Sequence, residues 1–134
     1  MPNLRISEAA ALLGVSDDTV RRWIDAGRLP VTQDGGRMAI EGGVLARFVQ
    51  GLADSPEPGS ATVSARNRMR GIVTRVLKDG LMAQVEMQAG RFRIVSLMSR
   101  EAADELGIEV GCISVASIKS THVVIEMPAG FDSP

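Results

Sequence analysis

The chain has 134 residues, 45% of them hydrophobic and only 3% aromatic, with a net charge of −1 and one cysteine. That length fits one ordinary domain or two very small ones. The single Cys112 excludes an intrachain disulfide framework, and no apolar run is long enough to span a bilayer. No basic segment leads into an apolar run at the N-terminus, so a cytoplasmic location is the expectation. Residues 1–52 hold six Arg against six acids, and residues 64–134 hold nine bases against eight acids. Neither half is a polybasic block, so strong non-specific DNA binding by a single chain is not expected. Cores with so few aromatics are thin, which favours association between chains.

The first elements read as helices. Ser7 is placed to cap a helix beginning at Glu8, Ala9 to Leu13 are good helix formers, and Gly14 is a stop. Ser16 caps a second helix, with Asp17 and Asp18 at its positive end. Val20, Trp23 and Ile24 share one face, and Trp23 is expected to pack in the small core. Gly27 ends this helix. Leu29 to Thr32, a turn at Asp34-Gly35-Gly36, and Arg37 to Ile40 form a short hairpin. Glu41 starts a third helix, with Val44, Leu45, Phe48, Val49 and Leu52 on its apolar side. The run Asp54-Ser55-Pro56-Glu57-Pro58-Gly59-Ser60 then reads as a boundary.

Strands follow. Gly71 to Lys78 is β-branched, Asp79-Gly80 is a hairpin turn, and Ala83, Val85 and Met87 alternate with the polar Gln84 and Glu86. Gln88-Ala89-Gly90 turns again before a strand over Phe92 to Leu97. A short helix spans Ser99 to Leu106, capped by Ser99 and ended by Gly107. Ile113 to Ile118 and Val123 to Met127 complete five strands, the pattern of a small OB-like barrel. Met82, Met87, Met98 and Met127 are assigned to the core. The expected fold is therefore α+β in two domains: residues 1–52 helical with a wing, 53–63 a linker, 64–128 a five-stranded barrel with one short helix, and 129–134 a tail.

The run from Ile6-Ser7-Glu8-Ala9-Ala10-Ala11-Leu12-Leu13-Gly14-Val15-Ser16 into Thr19-Val20-Arg21-Arg22-Trp23, and on to Ala26-Gly27-Arg28-Leu29-Pro30, resembles the MerR-like and excisionase-like winged helix-turn-helix domains. The resemblance implies double-stranded DNA as a partner. A recognition helix inserts its outward side chains into the major groove. Arg21 and Arg22 are forks of donors suited to guanine edges or phosphates, and Thr19 suits a phosphate or a base. The resemblance also places Arg28 and Arg37 beside the wing, toward the backbone or minor groove. Against this, Asp17, Asp18 and Asp34 set carboxylates near the same surface, and a protein-docking role stays open.

Two polar segments stand out in the second half. Ser64-Ala65-Arg66-Asn67 and Ile118-Lys119-Ser120-Thr121 together offer two cations and several hydroxyls. Convergent donors with positive charge are what a tetrahedral oxyanion requires. With Ser96-Leu97-Met98-Ser99, Glu105-Leu106-Gly107-Ile108 and Val110-Gly111, these segments resemble the molbindin domain, also called Mop or TOBE. The resemblance implies molybdate or tungstate as ligand, held by Ser64, Arg66, Lys119 and Ser120, with Ser99 supplied by a neighbouring chain of a homo-oligomer. Ser96 is the fallback for that hydroxyl. No organic cofactor and no membrane contact is implied.

No glycine-rich phosphate loop, Ser-His-Asp arrangement or paired carboxylates stand in a catalytic context, so an enzyme is not expected. His122 and Cys112 lack partners at ligand spacing for a metal; His122 reads as a solvent-facing strand residue and Cys112 as a small buried one. Two readings remain: a molybdate- or tungstate-responsive transcriptional regulator, or an intracellular store for the same anions with a vestigial helix-turn-helix.

Overall fold

The first helix, α1 (Ile6–Leu13), begins two residues before the expected start, because its first turn is capped from within. Glu8 Oε1 accepts the Arg5 N–H at 3.0 Å, so Ser7 is not the cap. These observations come from a computed structural model, which describes residues 2–52 and 64–128. The expected linker over 53–63 and tail over 129–134 lie outside the described residues. The two described stretches fall in separate compact units.

Gly14 closes α1 in the left-handed region (φ 68°), where a side chain is strained. Helix α2 (Asp17–Asp25) is capped by Ser16, whose Oγ accepts the Thr19 N–H at 3.1 Å. Strands β2 (Thr32–Asp34) and β3 (Arg37–Glu41) pair across Gly35 and Gly36, both with positive φ, which matches the twist of a tight hairpin. A short strand β1 (Asn3–Leu4), not foreseen, pairs with the other edge of β3. Helix α3 (Gly42–Gln50) follows directly, with Glu41 as its N-cap residue. The core is Ala9, Ala10, Val20, Leu29, Ile40 and Leu45. Trp23 packs against it, its ring 5.1 Å from that of Phe48.

The second unit is built on one long strand, β4 (Asn67–Lys78), with β5 (Met82–Ala89), β6 (Phe92–Ser99) and β7 (Ile113–Ile118). All pairings are antiparallel, in the order β6-β5-β4-β7. The first half of β4 pairs with β7 and the second half with β5; the two ladders overlap at Ile72. A bulge between Val73 and Arg75 lets the strand bend there. Helix α4 (Arg100–Leu106) is capped by Ser99 Oγ, which accepts the Ala102 N–H at 3.0 Å, and stops at Gly107. Lys78 Nζ donates to Asp104 Oδ1 at 2.6 Å, tying β4 to α4 and holding the Asp104 carboxyl below its ordinary range. The Met82 and Leu81 amides do the same for Asp79 in the β4–β5 turn.

Four expectations need correction. Val123 to Met127 is not a fifth strand: the chain leaves β7 through a 3-10 turn (Ser120–His122) that turns it off the sheet edge. Val124 and Ile125 are left 85% and 84% exposed, and an open cavity of about 550 Å³ remains under the sheet beside Val73, Val85, Met87, Ile94 and Met98. His122 accordingly sits exposed in that turn rather than in a strand. Glu86, assigned to a polar face, is buried, because the Arg93 side chain lies over it and pairs with it. Of the four methionines assigned to the core, only Met87 is fully buried; Met82 and Met127 are exposed.

Gly71 stands just before the first rung of the β4–β5 ladder. A Cβ there meets the Gln88 backbone and the Met87 side chain at 2.9 Å, inside van der Waals contact. Gly71→Ala is expected to destabilise the second unit by about 1–3 kcal/mol, the usual cost of overpacking. Urea unfolding followed by far-ultraviolet circular dichroism reads this loss. Fluorescence of Trp23, the only tryptophan and a residue of the other unit, serves as the unaffected control.

Candidate functional site

Antiparallel pairing of β4 with β7 brings together two segments more than fifty residues apart in sequence. The last rung joins Asn67 to Ile118. Ser64 and Arg66 therefore precede one side of that rung, while Lys119 and Ser120 follow the other. All four are exposed. Arg66 Nη1 donates to the Ser64 carbonyl at 3.0 Å, and Asn67 Nδ2 donates to the Ile118 carbonyl at 3.1 Å. Lys119 stands at the head of the 3-10 turn, and its carbonyl accepts the His122 N–H at 2.9 Å.

The two stretches that meet here carry charge of one sign. Residues 64–72 hold Arg66, Arg68 and Arg70 and no acid; residues 110–125 hold Lys119 and no acid. A dianion placed here meets two nearby cations, two hydroxyls and no carboxylate from either strand. Such a donor set fits a small tetrahedral oxyanion. The cavity under the sheet is a different place: it is mostly apolar and is lined by none of these cations.

Ser99 is not brought to this end. It pairs with Met82 at the end of β6, beside the C-terminal end of β4. From Asn67 to Lys78 the strand runs for about 35 Å, at roughly 3.3 Å per residue. The fallback, Ser96, pairs with Val85 and so is level with Val76, three residues nearer than Ser99 but still about 30 Å along β4 from Asn67 at roughly 3.3 Å per residue. Within one chain the four-residue group and Ser99 are separate. The Ser99 hydroxyl, while accepting the Ala102 N–H, keeps its own proton for donation outward.

In the first unit, Arg21 and Arg22 lie on the exposed side of α2, opposite Val20 and Trp23. Arg21 has Asp18 at 3.7 Å, an exposed pair that partly offsets its charge. The Thr19 hydroxyl is shared with Ser16 Oγ at 3.0 Å. Arg28 lies with its guanidinium carbon 5.6 Å from the centre of the Phe48 ring, so it also packs on the domain's own surface. Arg37 is at the wing, opposite Asp34 in register. Among the described residues no group of three His, Cys, Asp or Glu gathers as metal ligands, and no helix is long and apolar enough to cross a membrane. Cys112 is half-buried, its Sγ 3.6 Å from Ser114 Oγ.

Sequence reasoning named the two segments that the last rung brings together but did not single out Asn67, whose side chain bonds across that rung. Its signal was available: it is the one residue of Ser64 to Asn67 whose amide both donates and accepts.

Two family models match the chain. A helix-turn-helix domain covers residues 4–53, and a TOBE domain covers residues 63–125. Molybdenum-pterin-binding protein 1 of Clostridium pasteurianum is 38% identical over 65 residues, which is 48% of this chain and 96% of that protein. Molybdenum-pterin-binding protein MopA of Rhodobacter capsulatus is 31% identical over 86 residues, 63% of this chain and 31% of that longer protein. Among solved structures, a molybdate binding protein from Sporomusa ovata aligns over 49% of this chain and 98% of its own, at 21% identity and a TM-score of 0.48. MopII from Clostridium pasteurianum aligns over 49% of this chain and all of its own, at 34% identity and a TM-score of 0.46.

Proposed function

The chain belongs, through its second unit, to the family of TOBE-domain molybdenum-pterin-binding proteins, with a helix-turn-helix domain ahead of it, and from that premise we propose that it is a molybdate- or tungstate-responsive, DNA-binding transcriptional regulator. The observation that carries the anion half is the last rung of the β4–β7 ladder, which sets Ser64 and Arg66 beside Lys119 and Ser120 in a segment free of acids. The ligand is the oxyanion itself rather than a pterin. Two cations and two hydroxyls suit a small dianion, and no aromatic residue stands among Ser64 to Asn67 or Ile118 to Thr121. The role is binding and not catalysis, and the place of action is the cytoplasm.

Coupling between anion and DNA follows from where the ligands lie. With Ser99 at the far end of the sheet, a site that includes it draws on two chains. The anion then favours one assembly, and the assembly sets how many DNA-binding units act together. That matters because the first unit is electrically neutral, so useful affinity requires more than one of them. The exposed Val124 and Ile125 support association, since burying each contributes about 1.5–3 kcal/mol.

Calorimetric titration with molybdate, tungstate and sulfate tests the anion site; absence of heat with the first two defeats the reading. Selection from random duplex DNA, with and without molybdate, tests the regulator. Arg22→Ala is expected to weaken binding to the selected DNA by roughly tenfold, as for one lost phosphate or base contact, and to leave the calorimetric response unchanged. A store for the same anions is the second reading. It is favoured by the neutral first unit and by Asp18 beside Arg21, and failure to enrich any DNA sequence in either condition decides for it.

A further inference from the structure

Lys119 and Ser120 hang on the chain just after the last rung of a sheet edge, followed at once by a three-residue turn. Nothing in the ladder beyond Ile118 holds them. At that rung a side-chain hydrogen bond reaches across from Asn67 Nδ2 to the Ile118 carbonyl, 3.1 Å long and partly buried, between residues 51 apart in sequence. The carbonyl it grips belongs to the peptide unit joining Ile118 to Lys119. Fixing that peptide plane fixes the direction in which the chain enters Lys119, whose backbone is extended (φ −63°, ψ 140°) before the turn closes through His122. On the other strand, Asn67 is bonded directly to Arg66.

We propose, resting on the anion-binding reading above, that Asn67 is a positioning residue which clamps the Lys119–Ser120 arm against the Ser64–Arg66 arm, so that the two halves of the oxyanion site present their donors as one set. Its amide does this without touching the anion. The neighbouring side chain supports the same register: Arg68 Nη1 reaches Ser117 Oγ at 3.4 Å, so consecutive residues of β4 tie down the end of β7. A carboxylate of the same shape cannot serve. It has no donor for the Ile118 carbonyl, and it brings negative charge to a place where both strands exclude it.

Asn67→Ala and the isosteric Asn67→Asp test the clamp in the full chain. Two readouts are used. Without any anion, amide hydrogen exchange of the segment containing Lys119 to His122 is expected to quicken in both variants, while exchange in β5 and β6 stays as it was. Calorimetry with molybdate is expected to show affinity reduced about tenfold in Asn67→Ala, the worth of one well-placed hydrogen bond, and further in Asn67→Asp. The decisive comparison is made in a Lys119→Ala background, where adding Asn67→Ala is expected to change affinity clearly less than tenfold, because the charged one of the two donors it positions is gone. Unchanged exchange at Lys119 to His122, undiminished affinity in Asn67→Ala, or a full tenfold loss on top of Lys119→Ala each overturns the clamp. Failure of the unaltered chain to bind molybdate or tungstate is a separate result and overturns the functional reading beneath it. If Asn67→Ala does not fold, as shown by circular dichroism, Asn67→Asp carries both measurements.

Discussion

Lys119→Ala is expected to weaken molybdate binding by about ten- to a hundredfold while leaving the second unit folded. The argument is one of charge balance. Two cations, Arg66 and Lys119, flank the last rung of the β4–β7 ladder, and the ligand carries two negative charges. Removing one cation leaves a charge uncompensated at an otherwise complete site. Charge-assisted hydrogen bonds are the strong ones, each worth about 1.5–3 kcal/mol, and about 1.4 kcal/mol corresponds to a tenfold change in affinity. Lys119 is exposed and lies past the end of β7, so its stem supports little packing, and the unfolding transition should stay where it was. Arg47→Ala, which removes an exposed cation from the first unit, is the control and is expected to leave anion affinity close to the original. Unchanged affinity in Lys119→Ala would mean that the anion sits elsewhere.

Much of this was legible in the sequence because the informative signals are local. Ser16 and Ser99 cap the helices they precede, Gly14 and Gly107 end theirs in the left-handed region, and Gly35-Gly36 turns the wing. Alternation found the inner face of β5, where Ala83, Val85 and Met87 are buried. Apart from the cap of α1, what failed depends on a partner elsewhere in the sequence. Glu86 shares the alternation of a solvent-facing residue and is buried only because Arg93, seven residues on, lies across it. The apolar period of Val123 to Met127 has the form of a strand, but strand formation needs a free edge to pair with, and the 3-10 turn carries the segment away from the edge of β7. The candidate site divides along the same line. Its residue types were readable from two short motifs, whereas the adjacency of those motifs rests on the β4–β7 register and the separation of Ser99 on the order β6-β5-β4-β7.

That separation leads to the second large effect. Ser99→Ala and Lys119→Ala alter opposite ends of one sheet, yet each is expected to weaken molybdate binding, Ser99→Ala by about tenfold through loss of one hydroxyl donor. Mixing the two altered chains under conditions that allow exchange should then restore tight binding in part. An interface that takes Lys119 from a Ser99→Ala chain and Ser99 from a Lys119→Ala chain contains every original donor. Random exchange across a two-chain interface makes about a quarter of the sites whole. Calorimetry of the mixture should therefore show a high-affinity fraction that neither chain shows alone. Ile125→Asp, placing a charge on a side chain that is 84% exposed in the single chain, should abolish this recovery if that apolar segment is covered on assembly. A mixture whose titration is merely the average of its two components would show that no anion is held between chains. Recovery that survives Ile125→Asp would keep the shared site and move the association surface elsewhere on the sheet.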